Sequence, residues 1–145
     1  MTTINQILKV KGTDVYTVTP ETSIGETLKL MAKYNIGAVP VLSGGTLAGI
    51  ISERDFARKS IAQEELSIDT PVSKLMTNRV TCVQFENTVE SCLELMTDKD
   101  IRHLPVLNEH NQLVGIVSIS DLVKSIISQQ KFLIQQLEQY IVSSG

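Results

Sequence analysis

Two seven-residue stretches of the chain carry residue types from which a binding site can be built. Gly-Ile-Ile-Ser-Glu-Arg-Asp occupies residues 49–55, and Gly-Ile-Val-Ser-Ile-Ser-Asp occupies residues 115–121. In each, an apolar strand pattern ends at a serine, a helix pattern follows, and an aspartate stands three positions after the serine. One reading is structural: Ser52 and Ser118 cap the new helix, and Asp55 and Asp121 favour its positive end. The other turns the same physics toward a ligand. Exposed N–H groups and a hydroxyl at a helix N-terminus suit a phosphate, and a carboxylate suits the vicinal hydroxyls of a ribose.

The rest of the chain holds no comparable chemistry. No nucleophile beside a base, no paired carboxylates and no metal-ligand cluster occurs in repeated or concentrated form, so neither an enzyme nor a metal site is expected. Cys82 and Cys92 are ten residues apart, without a CxxC pattern or a nearby histidine for zinc. They read as reduced, mostly buried thiols, with a redox role as the minor alternative.

The elements that position the two turns are themselves duplicated. Residues 15–44 align with residues 80–109 without a gap, and ten of the thirty positions are identical. Unrelated segments would share roughly two, so the chain is an internal repeat. Each unit reads as strand, helix, strand, strand, helix. The first strands fall at residues 15–18 and 80–83. Ser23-Ile-Gly-Glu26 has the pattern of a capping box, and the run from Asn87 to Glu90 offers a similar start one position earlier. Ile24, Leu28 and Met31, like Val89, Leu93 and Met96, recur at helical spacing and predict one buried stripe each. Hairpins follow through residues 43–46 and 108–112, with Pro40 and Pro105 at an edge or at a strand's start. Two units of this size are each too small for a comfortable core, so they are expected to pack face to face about a pseudo-twofold axis.

Composition bounds the partners. The 145 residues carry 13 basic and 16 acidic side chains, a net charge of −3, without charge runs. That balance lacks the footprint of a nucleic-acid-polymer binder. No apolar run approaches the roughly 20 residues of a membrane span. The first residues lack the charged start and apolar stretch of a secretory signal, so a cytoplasmic location is expected.

The duplicated pattern resembles a pair of CBS (cystathionine-β-synthase) domains, a Bateman module, from about Val10 to Ile127. The residues that carry the resemblance are Asn35-Ile-Gly-Ala-Val-Pro-Val and Ile101-Arg-His-Leu-Pro-Val, each followed by the Gly-x-x-Ser-x-x-Asp turn. The run from Ser52 to Lys59 is similar to that of small stand-alone bacterial CBS-pair proteins. The run from Ser118 to Lys124 resembles both those proteins and the nucleotide-sensing subunit of the AMP-activated protein kinase. The resemblance implies an α/β (α+β) fold of tandem repeats, each β-α-β-β-α. The first repeat covers residues 10–62 and the second 74–128, with an N-terminal helix over 1–10 and a C-terminal helical extension over 129–145.

It also implies a non-catalytic regulatory module with two related clefts. Each would take an adenosine-containing ligand such as AMP, ADP, ATP, NAD or S-adenosylmethionine, without a metal. Asp55 and Asp121 match the family's ribose-binding aspartate. Ser52 and Ser118 match its Ser/Thr near ribose or phosphate, Arg54 and Ser120 take the phosphate-facing position, and Ile50 and Ile116 lie against the adenine. The opposite repeat closes each cleft, Ile36 and Gly37 toward Asp121, Ile101 and Arg102 toward Asp55. Backbone contacts to the base come from around Thr13 and around Thr77 and Asn78.

The clefts are expected to differ. The Asp55 cleft can draw on Arg54, Arg58, Lys59, Arg102 and His103, whereas the Asp121 cleft has Ser120, Gly37 and Ala38 in the corresponding places. Ligands with two or three phosphates, or a dinucleotide, are therefore expected at Asp55. The bland alternative for Arg102 and His103 is a basic pair at the surface end of a strand.

From Ile119 a helical pattern runs on to about Tyr140, with Ile127, Ile134 and Ile141 seven apart and Gln130 and Leu137 completing a rough heptad. This tail reads as a homodimer arm, or alternatively as a helix folding back on its own module. No effector domain is fused within the sequence, so the signal is expected to reach a separate client protein. A ligand-independent dimeric scaffold is the alternative function, and a nucleotide-cleaving enzyme the remote one.

Overall fold

The computed structural model describes residues 2–62 and 66–144. In chain order the elements are α1 (Ile4–Lys11), α2 (Ile24–Tyr34), β1 (Ala38–Ser43), β2 (Thr46–Ser52), α3 (Glu53–Ala62), a 3-10 turn at Val72–Lys74, α4 (Val89–Lys99), β3 (His103–Leu107), β4 (Leu113–Ser118) and α5 (Ile119–Ser144). The sequence repeat is thus a repeat in space, α2-β1-β2-α3 followed by α4-β3-β4-α5.

The hairpins correspond in detail. β1 pairs antiparallel with β2, Pro40 opposite Ile50, and β3 with β4, Pro105 opposite Ile116. Both ladders slip at the same point, between Val41 and Leu42 and between Val106 and Leu107. The expected first strand is shorter than the sequence suggested. It is reduced to single parallel bridges, Val18 to Val41 and Val83 to Val106. Proline has no N–H to offer on that side, so Pro40 and Pro105 only accept, from the Val18 and Val83 N–H groups at 3.2 and 3.0 Å. The chain then turns at once, Thr22 N–H to the Thr19 carbonyl and Asn87 N–H to the Gln84 carbonyl.

Helix caps and stripes depart from expectation by one residue. Thr88, not Asn87, caps α4, in a reciprocal box with Ser91; Asn87 Oδ1 instead accepts from the Gln84 N–H within the turn. Ser23 caps α2 by accepting from the Glu26 N–H, which is half of the box expected there. The buried stripe of α2 is Ile24, Thr27 and Met31, while Leu28 is exposed. Thr27 can enter the core because its hydroxyl donates to the Ser23 carbonyl at 2.9 Å, leaving no unpaired polar atom. α4 repeats that spacing with Val89, Cys92 and Met96, and Leu93 packs only at the margin.

Two hydrophobic cores result, and neither is closed by its own repeat. The first gathers Ile24, Met31, Val39, Val41 and Ile51, and is completed by Val72 and Leu75 from the segment leading into the second repeat. The second gathers Val83, Val89, Cys92, Met96, Leu104, Val106, Val117 and Leu122, and is completed by Ile4, Ile7 and Leu8 of α1. Backbone bonds fix each visitor in place. Ile24 and Gly25 donate to the carbonyls of Thr70 and Ile68, and Ile4 and Asn5 donate to those of Asn87 and Phe85. The exchange of segments places α1 beside the second strand-to-helix turn and residues 75–77 beside the first.

Candidate functional site

Each strand-to-helix turn is held by reciprocal hydrogen bonds between its serine and its aspartate. The Ser52 N–H donates to Asp55 Oδ2 at 2.9 Å and the Asp55 N–H donates to Ser52 Oγ at 3.3 Å. In the second copy the Ser118 N–H reaches Asp121 Oδ2 at 2.8 Å and the Asp121 N–H reaches Ser118 Oγ at 3.2 Å. The capping role is therefore filled in both turns.

The further partners of the two carboxylates differ. Asp55 Oδ1 meets Lys59 Nζ at 3.2 Å and accepts from the Thr77 hydroxyl at 3.4 Å. Lys59 also donates to the Leu75 carbonyl, and Thr77 exchanges two backbone bonds with Ile50. The first turn thus gathers Ile50, Ser52, Asp55, Lys59 and Thr77. At the second turn, Lys11 Nζ from the end of α1 donates to Asp121 Oδ2 at 2.6 Å and to the Ile116 carbonyl at 2.7 Å. Burial pushes the Asp121 carboxyl up, but the Lys11 ammonium and the Ser118 N–H outweigh it and hold the group below the usual carboxylate range.

Contacts between the repeats modify the expected asymmetry. Arg54 reaches across to Asp100, donating to its carbonyl at 2.9 Å and to its carboxylate at 3.1 Å, and Arg58 lies 4.0 Å from the same carboxylate. The Arg54 hydrogen bond, reinforced by the charges of Arg54, Arg58 and Arg102, lowers the Asp100 pKa. Asp100 closes α4 in the left-handed conformation, φ 53°, and this turns both its acceptors toward α3. Arg54 is thus tied to an acid. His103 belongs to the other turn: the charges acting on it are Lys11, Asp121 and Arg102. Its ring would meet a Cβ on Gly37 at 3.3 Å, so Gly37 lets the repeats approach there.

The remaining candidates are more dispersed. Arg102 is exposed, its carbonyl accepting from the Ile119 N–H. Thr13, Asn78 and Ser120 are exposed, and Ile36, Ile101 and Ile116 are half-buried. A cavity of about 530 Å³ opens beside Asp121 between α1 and α5, lined in part by Gln6, Val10, Lys11, Lys124 and Ser128. The sequence reading missed Lys11 and Asp100. Asp100 aligns with Asn35, a member of the repeated motif, and that correspondence could have marked it. Lys11 aligns with Met76 and carried no such signal. Burial raises the pKa of both cysteine thiols, partly offset at Cys92 by Ser91. Among the described residues no group of three or more His, Cys, Asp or Glu could hold a metal ion.

The placement of His103 predicts a pH effect. Burial is the main force holding its imidazole below the usual value, helped by Lys11 and opposed by Asp121. Neutral His103 then contributes stability that is full above the unfolded histidine pKa of about 6.5 and is lost as pH falls through the lower folded value. Urea unfolding at pH 7.5 and 5.5 should show a larger loss in the native chain than in His103→Gln; equal losses would refute it.

A duplicated helix-hairpin-helix unit, with a Ser-x-x-Asp turn opening the second helix of each copy, defines a paired-repeat module. The CBS domain matches at residues 8–62 and again at residues 72–128. The chain belongs to the CBS-domain family, with its two repeats in tandem. It is 36% identical over 149 aligned positions to the mitochondrial CBS domain-containing protein CBSX3 of Arabidopsis thaliana, covering 97% of this chain and 72% of that one. Among solved structures, a signal-transduction protein with CBS domains from Burkholderia ambifaria MC40-6, itself of presumed role, superimposes with a TM-score of 0.84 at 45% identity, over 89% of this chain and 96% of that one. The CBS domain pair of protein MJ0100, in complex with 5′-methylthioadenosine and S-adenosyl-L-methionine, superimposes with a TM-score of 0.78 at 27% identity, over 89% and 98%.

Proposed function

We propose that the chain is a non-catalytic regulatory module. It binds an adenosine-containing ligand, AMP, ADP, ATP or NAD(H), in clefts between its repeats and signals energy or redox state to a client protein. The observation that carries this reading is the pair of Ser-x-x-Asp turns. Each brings a carboxylate, a serine hydroxyl and an ammonium together at a helix start, groups that suit a ribose and its phosphate. The relative MJ0100 holds two adenosine derivatives, which supports the ligand class. Ligands with two or three phosphates are assigned to the first turn, where Lys59 stands at Asp55 and Arg54 and Arg58 of the same helix reach Asp100, provided that Arg54 leaves Asp100.

The module is read as a homodimer working in the cytoplasm; among the described residues no helix is long and apolar enough to cross a membrane. A second reading, a ligand-independent scaffold, is favoured by one observation: both aspartates already have internal partners. Titration calorimetry with AMP, ADP, ATP, NAD, NADH and S-adenosylmethionine separates the two. At least one is expected to bind, and Asp55→Ala should weaken a polyphosphate ligand tenfold or more, on the order of the hydrogen bonds removed. Binding unchanged by Asp55→Ala would sink the site, and no binding by any of the six would favour the scaffold.

A further inference from the structure

The far half of α5 leaves the body of the molecule. Leu122 is fully buried and Ile126 packs against the second core, but every residue from 130 to 142 is exposed. From residue 130 to 144 the helix extends about 22 Å beyond its last anchor. Ile134 and Leu137 are 54% and 61% exposed on this arm. An apolar helix face in water calls for cover, and the question is what covers it.

The charges decide. Between residues 125 and 145 the only charged side chains are Lys131 and Glu138, seven apart. The seam runs through Ile127, Gln130, Ile134 and Leu137, with spacings of three, four and three. Lys131 and Glu138 each follow a seam residue by one position, so both lie on the same flank of the seam. When two such helices pair antiparallel, like flanks meet; when they pair parallel, opposite flanks meet. Lys131 can therefore face Glu138 of a second copy only in the antiparallel arrangement, and the twofold axis makes the contact twice. The same register sets Ile134 opposite Leu137, also twice. Sliding one helix by a heptad sets Lys131 against Lys131 in one direction and Glu138 against Glu138 in the other. The tail complements itself reversed, in one register.

We propose that α5 carries the dimer interface at residues 131–138, an antiparallel helix pair centred on the Ile134–Leu137 contacts and locked in register by two Lys131–Glu138 ion pairs. The inference rests on the dimer reading above and gives it a surface, an orientation and a register. The segment is too short to form an isolated coiled coil, but the buried start of α5 removes the nucleation step that makes short helices unstable in water.

Sedimentation equilibrium of the full chain over a concentration series tests it, with circular dichroism confirming that each variant is folded. The native chain is expected to be a dissociable dimer. Lys131→Glu replaces two attractions with two repulsions and should raise the dissociation constant roughly tenfold. The double variant Lys131→Glu with Glu138→Lys should restore it. A double variant as weak as the single one would overturn the antiparallel register. A dimer indifferent to Lys131→Glu would place the interface elsewhere and leave the dimer reading standing. A native chain monomeric at every concentration would overturn both.

Discussion

Gly49→Ala is expected to destabilise the chain by about 2–3 kcal/mol, clearly more than Gly115→Ala, although the two glycines occupy equivalent positions. A Cβ at Gly49 would lie 2.7 Å from Met76 Sδ and 2.9 Å from the Thr77 carbonyl oxygen. The sulfur can move; the carbonyl cannot without breaking the ladder, because it accepts from the Ile50 N–H at 3.0 Å while the Thr77 N–H donates back at 2.8 Å. The new methyl therefore pushes Thr77 away and withdraws its hydroxyl from Asp55. At Gly115 the nearest atoms are the two Cδ atoms of Leu8, at 2.9 and 3.0 Å, and these are the far end of a flexible side chain. Rotation of Leu8 relieves that contact at about 1 kcal/mol, the cost of a strained rotamer in a packed core. Urea unfolding of the two variants reads the difference directly. Equal losses would mean that the Ile50–Thr77 pairing does not hold the first turn.

That difference between aligned positions marks the limit of what the repeat could reveal. Hairpins, the paired turns and the run of α5 follow from spacing along the chain, so they are legible from local pattern. The Ser-x-x-Asp capping is likewise local, each serine and aspartate being three residues apart. What could not be read is the exchange of segments. Ile4, Ile7 and Leu8 have the same apolar pattern whether they cover the first repeat or the second, and nothing local distinguishes the two. The same holds for the partners of the site. Lys11 and Asp121 are separated by 110 positions, and Arg54 and Asp100 by 46. The charge list of the two clefts was therefore incomplete in opposite directions. It left out a lysine at the cleft judged poor in cations, and an acid at the cleft judged rich in them. Thr27 shows a smaller failure of the same kind. Hydropathy favours Leu28 for the core, but the hydroxyl bond back to Ser23 makes threonine acceptable inside.

Lys11→Met is expected to act on both stability and binding, and pH separates the two. Lys11 is a third exposed and the Asp121 side chain is 18% exposed, so the pair is worth less than a fully buried one. Removing the ammonium leaves a carboxylate whose burial is no longer offset by its main partner, at about 1–2 kcal/mol near pH 7. In the native chain the Asp121 pKa is depressed. Its contribution is therefore full above the unfolded carboxylate value of about 3.9 and is lost as pH falls through the lower folded value. In Lys11→Met the folded pKa rises and that contribution shrinks or reverses. The stability gap between the two proteins should then be widest near neutrality and should close as pH falls through the carboxylate range. A gap independent of pH would show that Lys11 acts through its packed stem and not through its charge. Binding moves differently for different ligands. On the proposed reading the ammonium stands where ribose hydroxyls would donate to Asp121. A neutral adenosine derivative such as 5′-methylthioadenosine then no longer has to displace it, and should bind Lys11→Met more tightly than the native chain. ATP loses both a competitor and a cation, and should gain less or weaken. Calorimetry with the two ligands on the two proteins would find this crossing of preferences, and parallel changes for both ligands would place Lys11 outside the cleft that either one occupies.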